Sequence, residues 1–192
     1  MKLWPYRILK RDDDDIKADL SDIMQHFVPQ GKTFDMVIFV PNAGYYLSKL
    51  FVEIFGNSFE VNLVTVRRAS TVAKSNRVKE FIFKRKWLSN FMRHLEVLIR
   101  IIKFKCGIKQ KMKAVPEIGF NAAGKKLLVI DDSVDTGTTL SMVKSMLLEN
   151  GAASVTTACI SNHLLPEKVC VDYTVYTYAL LRTKNSRDYY AA

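Results

Sequence analysis

The sequence has few cysteines and no long apolar run, and both absences exclude classes of protein. Its three cysteines, Cys106, Cys159 and Cys170, are widely spaced and form no CxxC pair. We therefore expect neither a disulfide framework nor a structural zinc site, but reduced thiols in a cytoplasmic protein. No window approaches the roughly 20 apolar residues that span a bilayer. Because Met1–Arg11 lacks a continuous apolar stretch, we also expect no secretory signal.

Most of the chain has no net positive charge, because the basic residues are concentrated in one segment. The whole sequence has 29 Lys and Arg against 19 Asp and Glu, a net charge of +10. From Arg67 to Lys113 there are fifteen Lys and Arg and only two acids, a local balance of +13 that leaves about −3 for the rest. One segment therefore carries the whole basic character of the chain.

The order of the apolar runs predicts alternating strands and helices. The acidic run Asp12–Asp15 precedes apolar residues at helical spacing, and we interpret it as a helix N-terminus rather than a metal site. The predicted strands are Phe34–Val40, Phe59–Val66, Lys125–Asp131, Val155–Ile160 and Val171–Leu180, and the other predicted helices are Tyr45–Phe55 and Thr139–Glu149. This alternation predicts an α/β fold, a single Rossmann-like domain over residues 1–192 with a mostly parallel central sheet.

The loop after the third predicted strand carries the main chemical signal. The strand ends in Asp131 and Asp132, and a hydroxyl-rich loop containing Gly137 leads into a helix. Ligands of open α/β sheets bind beyond the carboxyl ends of the strands, and a helix N-terminus there presents unpaired N–H groups and partial positive charge. The pattern predicts a phosphate site at Asp135–Thr139, where Gly137 lets the backbone approach an anion. The hydroxyl donors of this loop are Thr136, Thr138 and Thr139.

Asp131 and Asp132 lie just before the predicted phosphate site. Carboxylate oxygens in that position can hold sugar hydroxyls or the water shell of a Mg²⁺ ion. The alternative is a pair of aspartates in an ordinary strand-to-helix loop, and the following Asp-Thr-Gly-Thr-Thr argues against it. We therefore expect a sugar phosphate at this site, with Mg²⁺.

The run Ile130–Thr139 resembles the phosphoribosyl pyrophosphate (PRPP) signature of the type I phosphoribosyltransferases. The resemblance implies a Mg²⁺-dependent transfer of 5-phosphoribosyl from PRPP, with inversion and release of pyrophosphate. It implies that Asp131 and Asp132 contact the ribose hydroxyls and that Asp135–Thr139 binds the 5-phosphate. In the branch that acts on 6-oxopurines, an acid at the place of Asp135 exchanges a proton with the incoming base, which makes Asp135 a catalytic candidate.

The first half of the chain resembles the same family through its strand and pyrophosphate loop, at Val37–Gly44. The loop departs from the usual Gly-Gly of the family. A basic pair at the end of the second predicted strand resembles a pyrophosphate-contacting position. A plain turn and a surface basic pair are the respective alternatives. The residues that the resemblance assigns to pyrophosphate are Asn42, Ala43, Gly44, Arg67 and Arg68.

Residues 69–121, between the second and third predicted strands, form a basic insertion. Family members usually have a mobile catalytic loop there, but here apolar residues from Leu88 to Ile102 share one face of a helix. This helix docks on the domain or on a partner in a homodimer, lies on anionic lipid, or, least favoured, binds nucleic acid, for which no recognition motif is present. The residues expected at a membrane or acceptor surface are Lys84, Arg85, Lys86, Trp87, Phe91, Arg93, Arg100 and Lys103.

The acceptor is predicted from the residues after the fourth strand. Base-salvage members of the family cover the base with a hood that often contains a lysine, whereas Ser161-Asn162-His163 comes after the strand here. His163 is a candidate polar contact or a satisfied structural histidine. Without a clear hood, and with the basic insertion, we favour the branch that transfers phosphoribose to a lipid-linked glycan, for ribofuranose-containing polysaccharide, at the inner face of the membrane. Nucleobase salvage, of a purine above all, is the alternative, and a donor-sensing regulator that binds nucleic acid is the third.

Overall fold

The computed structural model describes residues 7–40, 43–66, 95, 116–163 and 171–184. Strands and helices alternate along most of this part of the chain. The strands are β1 (Arg7–Arg11), β2 (Met36–Phe39), β3 (Glu60–Leu63), β4 (Thr65–Val66), β5 (Pro116–Glu117), β6 (Lys126–Val134), β7 (Ser154–Asn162), β8 (Tyr173–Thr177) and β9 (Ala179–Thr183). The helices are α1 (Asp13–Phe27), α2 (Gly44–Phe55) and α3 (Thr138–Glu149), with a 3-10 turn at Val28–Gln30.

Five parallel strands form the central sheet in the order β3-β2-β6-β7-β8. Strand β6 lies in the middle, and its apolar residues Leu127–Ile130 are fully buried, as expected of a central parallel strand covered on both faces. The predicted α/β fold with a mostly parallel sheet is confirmed.

Helices cover both faces of this sheet. On one face α1 and α2 pack their apolar stripes, including Phe27 and Phe51, against Phe39 of β2 and Ile130 of β6. On the other face α3 packs Leu140, Val143 and Leu147 against the alternate residues of the same strands. Because successive strand residues point to opposite faces, one apolar run fills both cores. The sheet is therefore the middle of three layers, and its carboxyl edge is left for loops.

The acidic run before α1 is a helix cap, as predicted. Asp12 is the N-cap, and its side chain accepts a hydrogen bond from the Asp15 backbone N–H at 2.9 Å. The Asp15 side chain accepts from the Asp12 backbone N–H at 3.2 Å, which completes a capping box. Acids in the first turn also interact favourably with the helix dipole. These carboxylates are thus accounted for by the helix itself.

The two ends of the described chain form a small sheet that was not predicted from the sequence. Strand β1 pairs in parallel with β9, with Leu9 opposite Leu181. The run Val171–Leu180, predicted as one strand, divides at Tyr178, whose positive φ of 53° turns the chain out of the central sheet. Apolar periodicity does not reveal that break, since Tyr178 lies between two segments that both contain apolar residues. The small sheet contacts the carboxyl ends of β6 and β7, where Ser161 Oγ donates to the Ala179 carbonyl at 2.5 Å.

The second predicted strand, Phe59–Val66, is divided into β3 and β4. The antiparallel pair β4–β5 places Thr65 opposite Glu117 and brackets residues 67–115. Leu95 is the one residue described between them, and it is helical and partly exposed. The insertion boundary drawn at 69–121 stays a prediction. In the described ranges no helix is both long enough and apolar enough to cross a membrane.

Candidate active site

Asp131 and Asp132 are strand residues at the carboxyl edge of the central sheet. The prediction ended the third strand at Asp131, whereas β6 continues to Val134 because β7 extends to Asn162 and pairs with Ser133 and Val134. Asp131 is 8% exposed and lies opposite Cys159, while Asp132 is half-buried. The strand pairing therefore holds Asp131 directly and Asp132 between two paired residues.

The two carboxylates interact with each other. The Asp132 backbone N–H donates to Asp131 Oδ1 at 2.9 Å. Burial raises the pKa of Asp132, and hydrogen bonds from the Asp131 side chain and the Ser133 backbone oppose that rise. Burial also raises the pKa of the neighbouring Cys159 thiol to about 12, so this cysteine is not a thiolate at neutral pH. We therefore do not expect Cys159 to act as a nucleophile at this edge.

Helix α3 begins at this edge without a side-chain cap. Its N-cap is Gly137, whose φ of 72° is the left-handed conformation that favours glycine. The Gly137 carbonyl accepts the first helical hydrogen bond, from Ser141 N at 2.8 Å. The first turn has no acidic residue, and the hydroxyls of Thr136 and Thr138 lie 2.9 Å apart beside it. Since first-turn N–H groups have no intrahelical acceptor, this loop can bind an anion.

Helix α2 begins beside the same edge and is also uncapped by a side chain. Ala43 is its N-cap, and no acid lies in its first turn. A Cβ at Gly44 would lie 3.4 Å from the Phe39 carbonyl carbon, so glycine allows the helix to start close to β2. Val40 N donates to the Ile130 carbonyl at 3.1 Å, which places the end of β2 next to Asp131. Two helix N-termini therefore flank the carboxylate pair.

Asp135 and His163 form a hydrogen-bonded pair across the ends of β6 and β7. His163 Nδ1 lies 2.6 Å from Asp135 Oδ1, and the histidine side chain is 10% exposed against 39% for the aspartate. The His163 backbone N–H donates to the Val134 carbonyl at 2.9 Å, which continues the pairing of the two strands. This pair brings a buried imidazole to the residue that the sequence marked as the candidate proton acceptor.

The pairing of His163 with Asp135 was not predicted from the sequence, which left His163 as either a polar contact or a structural histidine. A signal was present: His163 comes after a strand predicted to be parallel, and carboxyl ends of neighbouring parallel strands meet at one edge. The missing information was that β7 is the immediate neighbour of β6.

Several predicted site residues lie outside the described residues. The central group of the prediction, Asp131–Asp132 and Asp135–Thr139, comes together at one edge with Ala43 and Gly44. The predicted site residues outside the described ranges are Asn42, Arg67, Arg68, Lys84, Arg85, Lys86, Trp87, Phe91, Arg93, Arg100 and Lys103. Within the described ranges, no three His, Cys, Asp or Glu side chains form a metal-binding cluster. A Mg²⁺ ion at this edge would thus need donor oxygens or water beside Asp131 and Asp132.

Solved structures share this fold over most of their length. A purine phosphoribosyltransferase from Pyrococcus horikoshii superposes with a TM-score of 0.58 at 16% identity, covering 93% of this chain and 92% of that one. A hypoxanthine-guanine phosphoribosyltransferase from Bacillus anthracis gives 0.52 at 14% identity, with 89% and 83% covered. A hypothetical protein from Neisseria gonorrhoeae with bound ppGpp gives 0.53 at 13% identity, with 92% and 90% covered.

No curated protein matches the chain significantly. The family model of the phosphoribosyl transferase domain, however, matches residues 12–177, a span that includes all five strands of the central sheet. The match thus contains both uncapped helix N-termini and the carboxylate pair between them. The chain belongs to the phosphoribosyl transferase family, has the type I fold, and is a phosphoribosyltransferase.

Proposed function

We propose that this phosphoribosyltransferase transfers 5-phosphoribosyl from PRPP to a nucleobase, specifically a purine, with inversion at C1 and release of pyrophosphate. One observation carries the proposal: two uncapped helix N-termini and a carboxylate pair meet at one sheet edge. PRPP has a phosphate at C5, a pyrophosphate at C1 and two hydroxyls between them. Its charges and hydroxyls are complementary to that arrangement.

Each part of the donor has a proposed partner. The loop Asp135–Thr139 and the start of α3 bind the 5-phosphate through backbone N–H groups and threonine hydroxyls. Asp131 and Asp132 accept hydrogen bonds from the ribose hydroxyls. The start of α2 at Ala43 and Gly44 binds the pyrophosphate, and Asn42, Arg67 and Arg68 are proposed to join it from outside the described residues.

Mg²⁺ fits the donor chemistry of this edge. The ion binds hard oxygens and usually keeps several waters, so it pairs with one or two carboxylates and with substrate phosphates. Asp131 and Asp132 supply such carboxylates, and the Asp132 backbone N–H donates to Asp131 Oδ1 at 2.9 Å. When bound, the ion neutralises charge on the departing pyrophosphate. The two aspartates hold the ribose in line for attack.

The reaction needs a proton acceptor beside the donor. As the bond from C1 to pyrophosphate breaks, the ribose gains oxocarbenium character, and the acceptor attacks the opposite face. The acceptor then loses a proton, which Asp135 or a group that it positions takes. Asp135 comes directly after the strand that carries the carboxylate pair and is partly exposed, so it is reachable from the donor site.

A nucleobase is favoured as acceptor over the glycan that the sequence alone favoured. The glycan hypothesis depended partly on the lack of any element that could cover a base. The small sheet β1–β9 lies beside the carboxyl ends of β6 and β7, where an element that covers a base would have to lie. An acid at the place of Asp135 is the feature that the resemblance associates with purine acceptors, and purine enzymes are among the proteins that share this fold.

The glycan acceptor is the second candidate, and one observation favours it. The balance of +13 over residues 67–113 is more than an acceptor as small as a purine requires. A segment with that charge suits anionic lipid at a membrane surface. The residues from Lys84 to Lys103 that would form this surface lie outside the described residues.

Pyrophosphate release separates these functions. The full chain with PRPP and Mg²⁺ is mixed with hypoxanthine, guanine, xanthine, adenine or orotate, and we expect release with at least one purine. Release only with a polyprenyl-linked oligosaccharide would overturn the nucleobase proposal in favour of the glycan. No release with any acceptor, together with RNA binding that weakens steeply with salt, would indicate a regulator.

A further inference from the structure

One ring nitrogen of His163 is paired and the other is not. Nδ1 lies 2.6 Å from Asp135 Oδ1. Nε2 is buried and has no hydrogen-bond partner among the residues that the structure describes. A buried polar atom without a partner destabilises the fold, so such an atom at a site edge is expected to meet a ligand.

The backbone that carries the ring is held on two sides. The His163 backbone N–H is bonded to the Val134 carbonyl at 2.9 Å, just before Asp135. Two residues earlier, Ser161 Oγ donates to the Ala179 carbonyl of β9, so the end of β7 is also tied to the small sheet. The imidazole is therefore oriented before any acceptor binds, which is the condition for efficient proton transfer.

The Asp135 carboxylate fixes the tautomer of this ring. An ionised carboxylate only accepts hydrogen bonds, so the proton of the neutral imidazole lies on Nδ1 and the lone pair on Nε2. A proton taken by Nε2 would produce an imidazolium whose Nδ1–H still donates to Asp135.

We propose that His163 Nε2, rather than Asp135 itself, takes the proton from the acceptor atom that attacks the ribose, and that Asp135 positions the imidazole. The inference rests on the proposed phosphoribosyl transfer. The bond from C1 to pyrophosphate breaks and its electron pair leaves with pyrophosphate. The lone pair of the acceptor nitrogen forms the new bond to C1, and the proton of that nitrogen moves to Nε2 and then to solvent.

This assignment differs from a direct role of Asp135 in a measurable way. If Asp135 were the base, removal of the imidazole would leave the proton acceptor in place. If His163 is the base, His163→Gln removes it, and Asp135→Asn removes only its orientation and charge partner. The double variant should then be about as slow as His163→Gln alone, since the two residues act as a unit.

The kinetic test uses the full chain with PRPP, Mg²⁺ and whichever purine releases pyrophosphate. We expect His163→Gln to lower kcat by about 100-fold to 10,000-fold with donor affinity unchanged by calorimetry. Imidazole added to His163→Ala should restore part of the rate. His26→Gln, on α1 where the ring stacks on Tyr173 at 3.8 Å, is the matched control and should keep full activity. A His163→Gln enzyme within threefold of the unmodified rate overturns the inference, while the proposed function stands.

A spectroscopic test does not depend on turnover. The chain has three histidines, so ¹⁵N-histidine spectra of the unmodified chain and of His163→Gln assign the His163 ring directly. We expect the neutral ring to carry its proton on Nδ1. Asp135→Asn should change the ratio of the Nδ1–H and Nε2–H tautomers. A proton on Nε2 of the neutral ring overturns the inference even if no acceptor has been found, and absent pyrophosphate release with every purine counts against the proposed function alone.

Discussion

Two groups of aspartates precede helices in this chain, and they behave in opposite ways. At the start of α1, the N-cap Asp12 and the first-turn residue Asp15 form a capping box with each other's backbone N–H groups. Before α3, Asp131 and Asp132 stay in the strand, Asp135 pairs with a histidine, and the helix starts at Gly137 with no side-chain cap. Acids that cap a helix N-terminus stabilise the fold, whereas a helix that begins at glycine with no acid in its first turn suits an anionic ligand.

The largest effect is expected from the carboxylates that stay away from their helix. Replacing Asp131→Asn together with Asp132→Asn should reduce turnover by about 1,000-fold or more, because ribose and Mg²⁺ lose their charged partners. Stability should change little, since burial already disfavours the charged form of Asp132. Pyrophosphate release and thermal unfolding of the same samples measure both. The exposed Asp14→Asn on α1 is the control, and a double variant that matches its rate would exclude a role in donor binding.

An acid placed in the first turn of α3 should make that helix resemble α1. Thr138 is exposed, so Thr138→Asp should leave the melting temperature equal or slightly higher, by the dipole interaction of about 0.3–1 kcal/mol. Donor affinity should fall by about 100-fold, because a carboxylate occupies the anion site at short range. Calorimetric titration with PRPP and Mg²⁺ reports the affinity. Ser145→Asp, exposed two turns later, should bind normally; a normal affinity in Thr138→Asp would contradict the phosphate site.

Asp19, on the buried side of α1, should make stability depend on pH. Burial raises its pKa to about 6 from 3.8, against the opposing charge of Arg11. The folded state thus binds this proton more tightly than the unfolded state, so the contribution of Asp19 to stability is greatest below pH 3.8 and falls as pH rises towards 6. Relative to Asp19→Asn, the unmodified chain should lose up to about 3 kcal/mol over that window.

Urea unfolding of both proteins at several pH values measures this difference. Asp14→Asn, an exposed acid on the same helix, shows how much a surface carboxylate contributes. A constant difference between the unmodified chain and Asp19→Asn across the window would show that the Asp19 carboxyl is not perturbed by burial. Turnover is not needed for this measurement, which therefore stands apart from the donor site.

The smallest effect is expected at the cap of α1. Asp12→Ala removes the hydrogen bond to Asp15 N and should lower the free energy of unfolding by about 1 kcal/mol, with donor affinity unchanged. Urea unfolding and PRPP titration test the two parts separately. Weaker donor binding in Asp12→Ala would mean that the two groups of aspartates are not as separate as the structure indicates.

The sequence allowed prediction of the elements that depend on neighbouring residues in the chain. The apolar run of β6 and the cap before α1 could be predicted because their spacing alone specifies them, and the signature loop was identified by its residue types. The break at Tyr178 and the pairing of β1 with β9 could not, since both depend on contacts between the two ends of the chain. The Asp135–His163 pair was missed for the same reason: 28 positions separate the two residues, and only the order of strands in the sheet brings them together.

The antiparallel contact between β4 and β5 makes the basic segment a separable module. Thr65 and Glu117 are opposite each other, so the chain leaves and re-enters the domain at adjacent points. A short turn could join them after removal of residues 67–115. That removal would take away the balance of +13 and leave a chain with a net charge of about −3. The full chain should bind a cation-exchange resin, whereas the shortened chain should bind an anion-exchange resin. Activity of the shortened enzyme would show whether catalysis at the sheet edge depends on the surface that the basic segment recognises.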